Sequence, residues 1–307
     1  MKRGHRQTGQ LEIEGLDAML SAVAEVARTA GDVALSYFDQ ARRSALAVEI
    51  KSDGSPVTAA DRAAESTARE WIERRFPADG IVGEELGVVR PAATRRWFID
   101  PIDGTKSFVR GVPLWGTLVA VAEGDTVLGG AIYCAAAGEL VAAATGCGAW
   151  WNGARCSVSQ EARLDHATIL ATEALTSAGA PRLSGKRPAV RPSGSTRTRP
   201  SGGITSPSSV ASRLEAWRHL AERAGVARTW GDAYGYLLVA TGRAEVMVDA
   251  VMHPWDTAAL APVVTEAGGV FTDWDGAPTA LGGSSVATNA ALAEKVRTVL
   301  RKAVSNT

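Results

Sequence analysis

Between residues 114 and 145 three short apolar runs, LWGTLVAVAEG, DTVLGGAIYC and GELVAAATG, follow one another across glycine turns. Such runs read as an antiparallel β-meander, and Asn152-Gly153 just beyond adds a strong turn signal. Helical periodicity precedes it. Over 16–38, Leu16, Met19, Leu20, Val23, Val26, Ala27, Ala30, Val33, Ala34, Tyr37 and Phe38 fall on one face of an amphipathic helix. A short strand is expected at 46–50 and then a loop, KSDGSPVT. A second helix runs from Ala59 to Phe76, with Thr58 at its start and Pro77 beyond its end. Apolar runs at 80–83 and 96–99 read as strands. After the meander, strands are expected at 168–172, 226–230 and 245–249, and helices at 212–224, 234–241, 256–267 and 289–303, the last capped by Asn289.

A chain of 307 residues suits one large domain or two coupled subdomains, and 46% apolar residues support a sizeable core. Lys+Arg and Asp+Glu number 33 each, so no basic excess points to nucleic acid. No stretch reaches the roughly 18 uncharged apolar residues that a membrane span needs. Met1 to Gln10 is polar and basic without an apolar region behind it, which argues against secretion. Cys134, Cys147 and Cys156 lack ligand spacing and suit a reducing compartment as scattered thiols. The expectation is a cytoplasmic globular α/β protein with a flexible tail at 1–10 and subdomains at 11–175 and 213–307. Between the subdomains, 176–212 holds nine Ser, five Pro, five Gly and five Arg with no acidic residue. That is the composition of a disordered or loosely held insertion. A tolerated surface loop is the plainest reading, with a basic contact surface or a locally altered reading frame as alternatives.

Carboxylates gather where apolar runs end: Asp61, Glu84, Glu85, Asp100, Asp103 and Asp256. Any single acid belongs by default to the solvated surface. Glu84-Glu85 follow an apolar run and a glycine, Asp100 and Asp103 close the WFI run across Pro101-Ile102, and Asp256 follows Trp255. Acids at the C-terminal ends of strands lie where α/β folds build sites, and like charges there are costly without a cation. Oxygen ligands without a His or Cys cluster favour Mg²⁺ or Mn²⁺ over zinc. His253, three residues before Asp256, reads as structural. Gly104-Thr105 after Asp103 can present backbone N–H groups to an anion. A carboxylate cluster beside such a turn is suited to metal-dependent phosphoryl chemistry.

GEELG at 83–87, DPIDGTKSF at 100–108 and PWDTAALAPVVTEAGG at 254–269 resemble the signature motifs of the inositol monophosphatase superfamily. The resemblance spans 16–303, interrupted at 176–212. It implies a layered αβαβα sandwich, of the type shared with fructose bisphosphatases, and Mg²⁺-dependent phosphomonoesterase activity with two or three ions. Glu84, Asp100, Asp103, Asp256 and the Ile102 carbonyl match the family's metal ligands. Thr105 with Asp61 matches the pair that activates water, Gly104 and Thr105 the phosphate-binding backbone, and Lys51 the mobile loop that completes the site. A homodimer acting on a small phosphorylated substrate, without nucleic acid or membrane, is also implied. TKSF at 105–108 and RTWGDAYGY at 228–236 are similar to the histidinol-phosphate phosphatase branch, with Asp232 directly after its glycine. Asp249, seven residues before Asp256, matches a substrate-contacting acid that is generally Glu. Histidinol phosphate is therefore the expected substrate. An inositol-1-phosphate or broader sugar-phosphate phosphatase is the runner-up, and a non-catalytic partner of the transcription machinery the reading from another class.

Overall fold

A computed structural model describes residues 4–41, 48–51, 56–172 and 207–305. Within them the chain runs α1 (Gly4–Ala41), β1 (Val48–Ile50), β2 (Pro56–Thr58), α2 (Ala59–Arg75), β3 (Gly80–Gly83), β4 (Gly87–Val89), β5 (Arg95–Asp103) and a single-turn α3 (Thr105–Phe108). The meander follows as β6 (Gly116–Glu123), β7 (Thr126–Cys134) and β8 (Glu139–Ala144), with β9 (Gly148–Trp151) and β10 (Ala154–Cys156) after it. The second half holds β11 (Thr168–Ala171), α4 (Pro207–Ala221), β12 (Val226–Arg228), α5 (Asp232–Ala240), β13 (Val246–Asp249), α6 (Pro254–Glu266), β14 (Val270–Thr272), β15 (Ser285–Thr288) and α7 (Ala293–Ser305).

Beyond the β1–β2 pair, the strands form two sheets. One has eight strands in the order β10-β9-β8-β7-β6-β5-β3-β4, the other five in the order β12-β11-β13-β15-β14. The expected meander is antiparallel throughout, whereas β3 lies parallel to β5. Alternation along the strands decides the layering, because successive side chains point to opposite faces. On β6, Val119 and Val121 join the core under α1 and α2, while Leu118, Ala120 and Ala122 face α5 and α6. On the smaller sheet, Met247 and Ala287 face that same central layer, while Val246, Val248 and Val286 face α4 and α7. The result is a five-layer αβαβα sandwich, as expected. The central helices sit close: a side chain on Gly130 of β7 would come within 2.4 Å of the Ala259 carbonyl of α6.

Some boundaries differ from expectation. α1 starts at Gly4 and continues past Phe38 to Ala41, so its backbone helix covers most of the stretch expected as a tail. α7 begins at Ala293 rather than Asn289. The Asn289 side chain accepts from Leu292 N–H at 2.9 Å and caps the turn leading into it. Of the segment expected to be loose, 176–206 lies outside the described residues, and 207–212 forms the first turns of α4. None of the three cysteines is in a disulfide. Among the described residues no helix is long and apolar enough to cross a membrane.

Candidate active site

The two sheets deliver acids to one place. β3 ends at Gly83 and hands the chain to Glu84, whose N–H donates to the Ile99 carbonyl of β5 at 3.1 Å. β5 carries Asp100 and Asp103 across an irregularity in its pairing with β6. Pro101-Ile102 cannot continue the ladder there, and Thr117 Oγ1 donates to the Pro101 carbonyl at 2.8 Å. The bulge re-aims both aspartates to the sheet's end. Asp249 closes β13, Asp232 opens α5 and Asp256 lies in the first turn of α6, where Pro254 occupies a position that needs no N–H.

These residues line a cavity of about 290 Å³ with Ile102, Gly104, Thr105, Lys106, Thr172, Met252, His253 and Trp255. Six of its lining residues, Glu84, Asp100, Asp103, Asp232, Asp249 and Asp256, are carboxylic acids. Burial and then the neighbouring acids push Asp100, Asp103 and Asp256 above the ordinary carboxylate range. For Asp100 those neighbours are Glu84, Asp103 and Asp256, and for Asp103 they begin with Asp232. Among the described residues no three His, Cys, Asp or Glu side chains already close on one point. Glu84 Oε1 instead accepts from Lys51 Nζ at 2.7 Å, and the same ammonium bonds Glu85. Burial alone would lower the Lys51 pKa, yet Glu84 and Glu85 hold it well above its usual value. The donor set still fits a hard divalent cation: carboxylate oxygens and one backbone carbonyl, crowded and short of positive charge.

Nine of the sequence-derived site residues line the cavity: Glu84, Asp100, Ile102, Asp103, Gly104, Thr105, Asp232, Asp249 and Asp256. Asp61 and Lys51 do not line it, though Lys51 bonds the lining residue Glu84. Thr105 and Asp61, matched above to the water-activating pair, each make local hydrogen bonds. Asp61 accepts from Thr58 N–H at 2.8 Å and Thr58 Oγ1 at 2.7 Å in a capping box of α2, and Thr105 Oγ1 donates to the Ile102 carbonyl at 3.0 Å. Both partners are three residues away, so each contact closes a short turn. His253 serves a similar box on α6, its N–H donating to Asp256 Oδ2 at 2.7 Å while its ring stacks on Trp255. Gly104 is left-handed at φ +91°, and a Cβ there would lie 3.0 Å from Asp232 Oδ2. The first β5–β6 turn and the start of α5 therefore meet at a glycine.

The sequence missed Thr172 and Tyr236. Thr172 Oγ1 accepts from Asp232 N–H at 2.9 Å, while its own N–H donates to Asp249 Oδ1 at 3.3 Å. Tyr236, fully buried, donates its hydroxyl to Asp249 Oδ2 at 2.7 Å and also bonds Ser285. Thus one residue ties the two expected substrate acids together and another orients Asp249. No short motif announces either, since the contacts cross 60 and 13 positions of chain.

The raised carboxylates set a pH dependence. In the folded, metal-free protein Asp100, Asp103 and Asp256 hold protons at pH values where the unfolded chain has released them. Their contribution is therefore present at low pH and lost as pH rises through the folded values. In EDTA the melting temperature is expected to fall between about pH 5 and pH 8.5, and Mg²⁺ at the upper pH to restore it. Thermal melts in matched buffers check this; a profile that is flat in EDTA and unmoved by Mg²⁺ contradicts it.

Known proteins match the chain closely. The model of the inositol monophosphatase family matches residues 16–305. A histidinol-phosphatase of Chlorobaculum parvum is 39% identical over 87% of this chain and 90% of its own length. One from Mycobacterium tuberculosis is 38% identical over 83% of this chain and 88% of its length. The crystal structure of the extragenic suppressor protein suhB from Bartonella henselae superposes with a TM-score of 0.77 at 26% identity, over 93% of this chain and 99% of that one.

Proposed function

The chain belongs to the inositol monophosphatase family and is a phosphatase, and we propose that it hydrolyses L-histidinol phosphate to L-histidinol and phosphate with Mg²⁺. The observation that carries the proposal is the meeting of two carboxylate groups in one cavity. Glu84, Asp100, Asp103 and Asp256 have the donor chemistry to hold the cations. Asp232 and Asp249, tied through Thr172, come from the smaller-sheet half of the fold and are left over for the organic part of the substrate. Two relatives with the same substrate in their names support the choice.

Bound Mg²⁺ would neutralise the phosphoryl oxygens and stabilise the charge that develops on the departing ester oxygen. The chain's own residues would do the rest. Gly104 and Thr105 present backbone N–H groups toward the phosphate. The Thr105 hydroxyl spends its proton on the Ile102 carbonyl and so offers its lone pairs to orient the attacking water. Glu84 and Asp61 are the carboxylates assigned to take the proton that water loses. Burial raises the Asp61 carboxyl despite its Thr58 hydrogen bonds, which suits an acceptor of protons. The water oxygen bonds to phosphorus as the ester P–O bond breaks, and the leaving oxygen takes a proton from solvent water to become the alcohol. Cleaving histidinol phosphate also requires recognition of a protonated amine, a task matched by the negative charge of Asp232 and Asp249.

Thr105→Ala is expected to lower kcat by about ten- to a hundredfold with little change in KM, because an orienting hydroxyl acts in the transition state. Steady-state kinetics with a parallel thermal melt check it. A lowered melting temperature with intact kcat would reduce Thr105 to a turn-stabilising residue. The proposal as a whole is tested by phosphate release from histidinol phosphate with Mg²⁺ and with EDTA. Release that survives chelation would remove the metal. The homodimer implied by the family resemblance belongs to the same proposal, and a monomer in sedimentation would remove that part.

A further inference from the structure

We propose that Glu65, with Arg69, is a positioning residue that fixes the Glu84 turn for cation binding; this rests on reading Glu84 as a ligand. Glu65 lies one helical turn beyond Asp61 on α2 and is fully buried. Its carboxylate sits beneath the turn that follows β3. Oε2 accepts from Glu85 N–H at 2.7 Å, and Leu86 N–H approaches both oxygens at 3.2 and 3.3 Å. On the other side Arg69 Nε donates to Oε1 at 2.7 Å, and the same guanidinium donates to the Gly87 carbonyl. The pair therefore grips the turn at residues 85, 86 and 87. Gly83 lets it approach: a Cβ there would lie 1.9 Å from Glu65 Oε1.

Glu84 is thereby bracketed. Its own N–H is fixed to the Ile99 carbonyl of β5, and the next two N–H groups are fixed to Glu65. With the backbone held on both sides, the point from which the Glu84 side chain projects is set before any cation arrives, while Lys51 holds its carboxylate. Cation ligands lose affinity when displaced by about half an ångström, so such support matters. The charges are consistent with the same role. An unneutralised acid beneath a site already rich in carboxylates would raise its repulsion, and Arg69 cancels Glu65 where it stands. A glutamate serving only helix stability through an i,i+4 pair would have no need to be buried against turn amides.

The test uses the full chain, Mg²⁺ alone as the probe, and two variants. Glu65→Gln keeps the volume but turns an N–H₂ toward either the Arg69 or the Glu85 donor. Glu65→Asp keeps the charge but falls short of the turn, and serves if the first variant does not fold. Calorimetric Mg²⁺ affinity should weaken by about ten- to a hundredfold in either variant. The Glu85 and Leu86 amides should exchange faster in either variant, and much of kcat should return at saturating Mg²⁺. Affinity within about twofold of the unaltered protein, with or without a lower melting temperature, would overturn the proposal. If the unaltered protein itself binds no Mg²⁺, the metal site falls and the positioning role falls with it.

Discussion

Asp100→Asn is expected to cut kcat/KM by roughly a thousandfold or more, about 4 kcal/mol of transition-state stabilisation. Asp100 is the most deeply buried of the four proposed cation-holding carboxylates, at 3% exposure, and one oxygen is already committed to Ile102 N–H at 3.0 Å. The amide keeps that local contact but loses the charge the cation needs. Stability should move the other way. Without metal, Asp100 is opposed by Glu84, Asp103 and Asp256, so removing its charge relieves repulsion. The metal-free melting temperature at about pH 8 is therefore expected to hold or rise. Kinetics at saturating Mg²⁺ beside melts in EDTA check both halves. Turnover near that of the unaltered protein contradicts the assignment of Asp100.

Asp232→Asn is expected to lower kcat/KM for histidinol phosphate at least about tenfold while leaving a small neutral phosphate ester unaffected. The size follows from a charge-assisted hydrogen bond to the substrate amine, about 1.5–3 kcal/mol. The backbone tolerates this substitution. Asp232 has φ +51°, a left-handed conformation that asparagine tolerates as readily as aspartate. Its backbone N–H, bonded to Thr172 Oγ1, is untouched. Nor does the variant disturb a cap, because Gly231, not Asp232, occupies the cap position of α5. Paired kinetics on the two substrates check it. An equal loss on both would assign Asp232 to the cation site or to the fold, and would move the substrate toward inositol phosphate.

Much of this molecule was legible from residue patterns because its strands are short, glycine-bounded and buried on both faces. Trp97-Phe98-Ile99 needs no partner to be read as a strand, and the alternation of Leu118, Val119, Ala120 and Val121 decides which layer each side chain enters. The acids at 84, 100, 103 and 256 stood out for a related reason: a carboxylate directly after an apolar run has no local excuse. What escaped is what depends on distance through space. Asp61 accepts from Thr58 and Thr105 donates to the Ile102 carbonyl, local contacts within one turn that motif spacing does not register. Thr172, Tyr236 and Glu65 look ordinary in sequence and become informative only once the sheets bring remote turns together. α1 starts ahead of its apolar periodicity, since polar residues at 4–10 carry none although the backbone there is helical.

Discrimination between substrates bears most directly on the central claim. One preparation with saturating Mg²⁺ would be assayed for phosphate release from L-histidinol phosphate and from inositol 1-phosphate, each over a full concentration range. The account predicts a kcat/KM ratio of at least about ten in favour of histidinol phosphate, set by the charge that Asp232 and Asp249 offer its amine. A ratio near one, or one favouring the inositol ester, would contradict it.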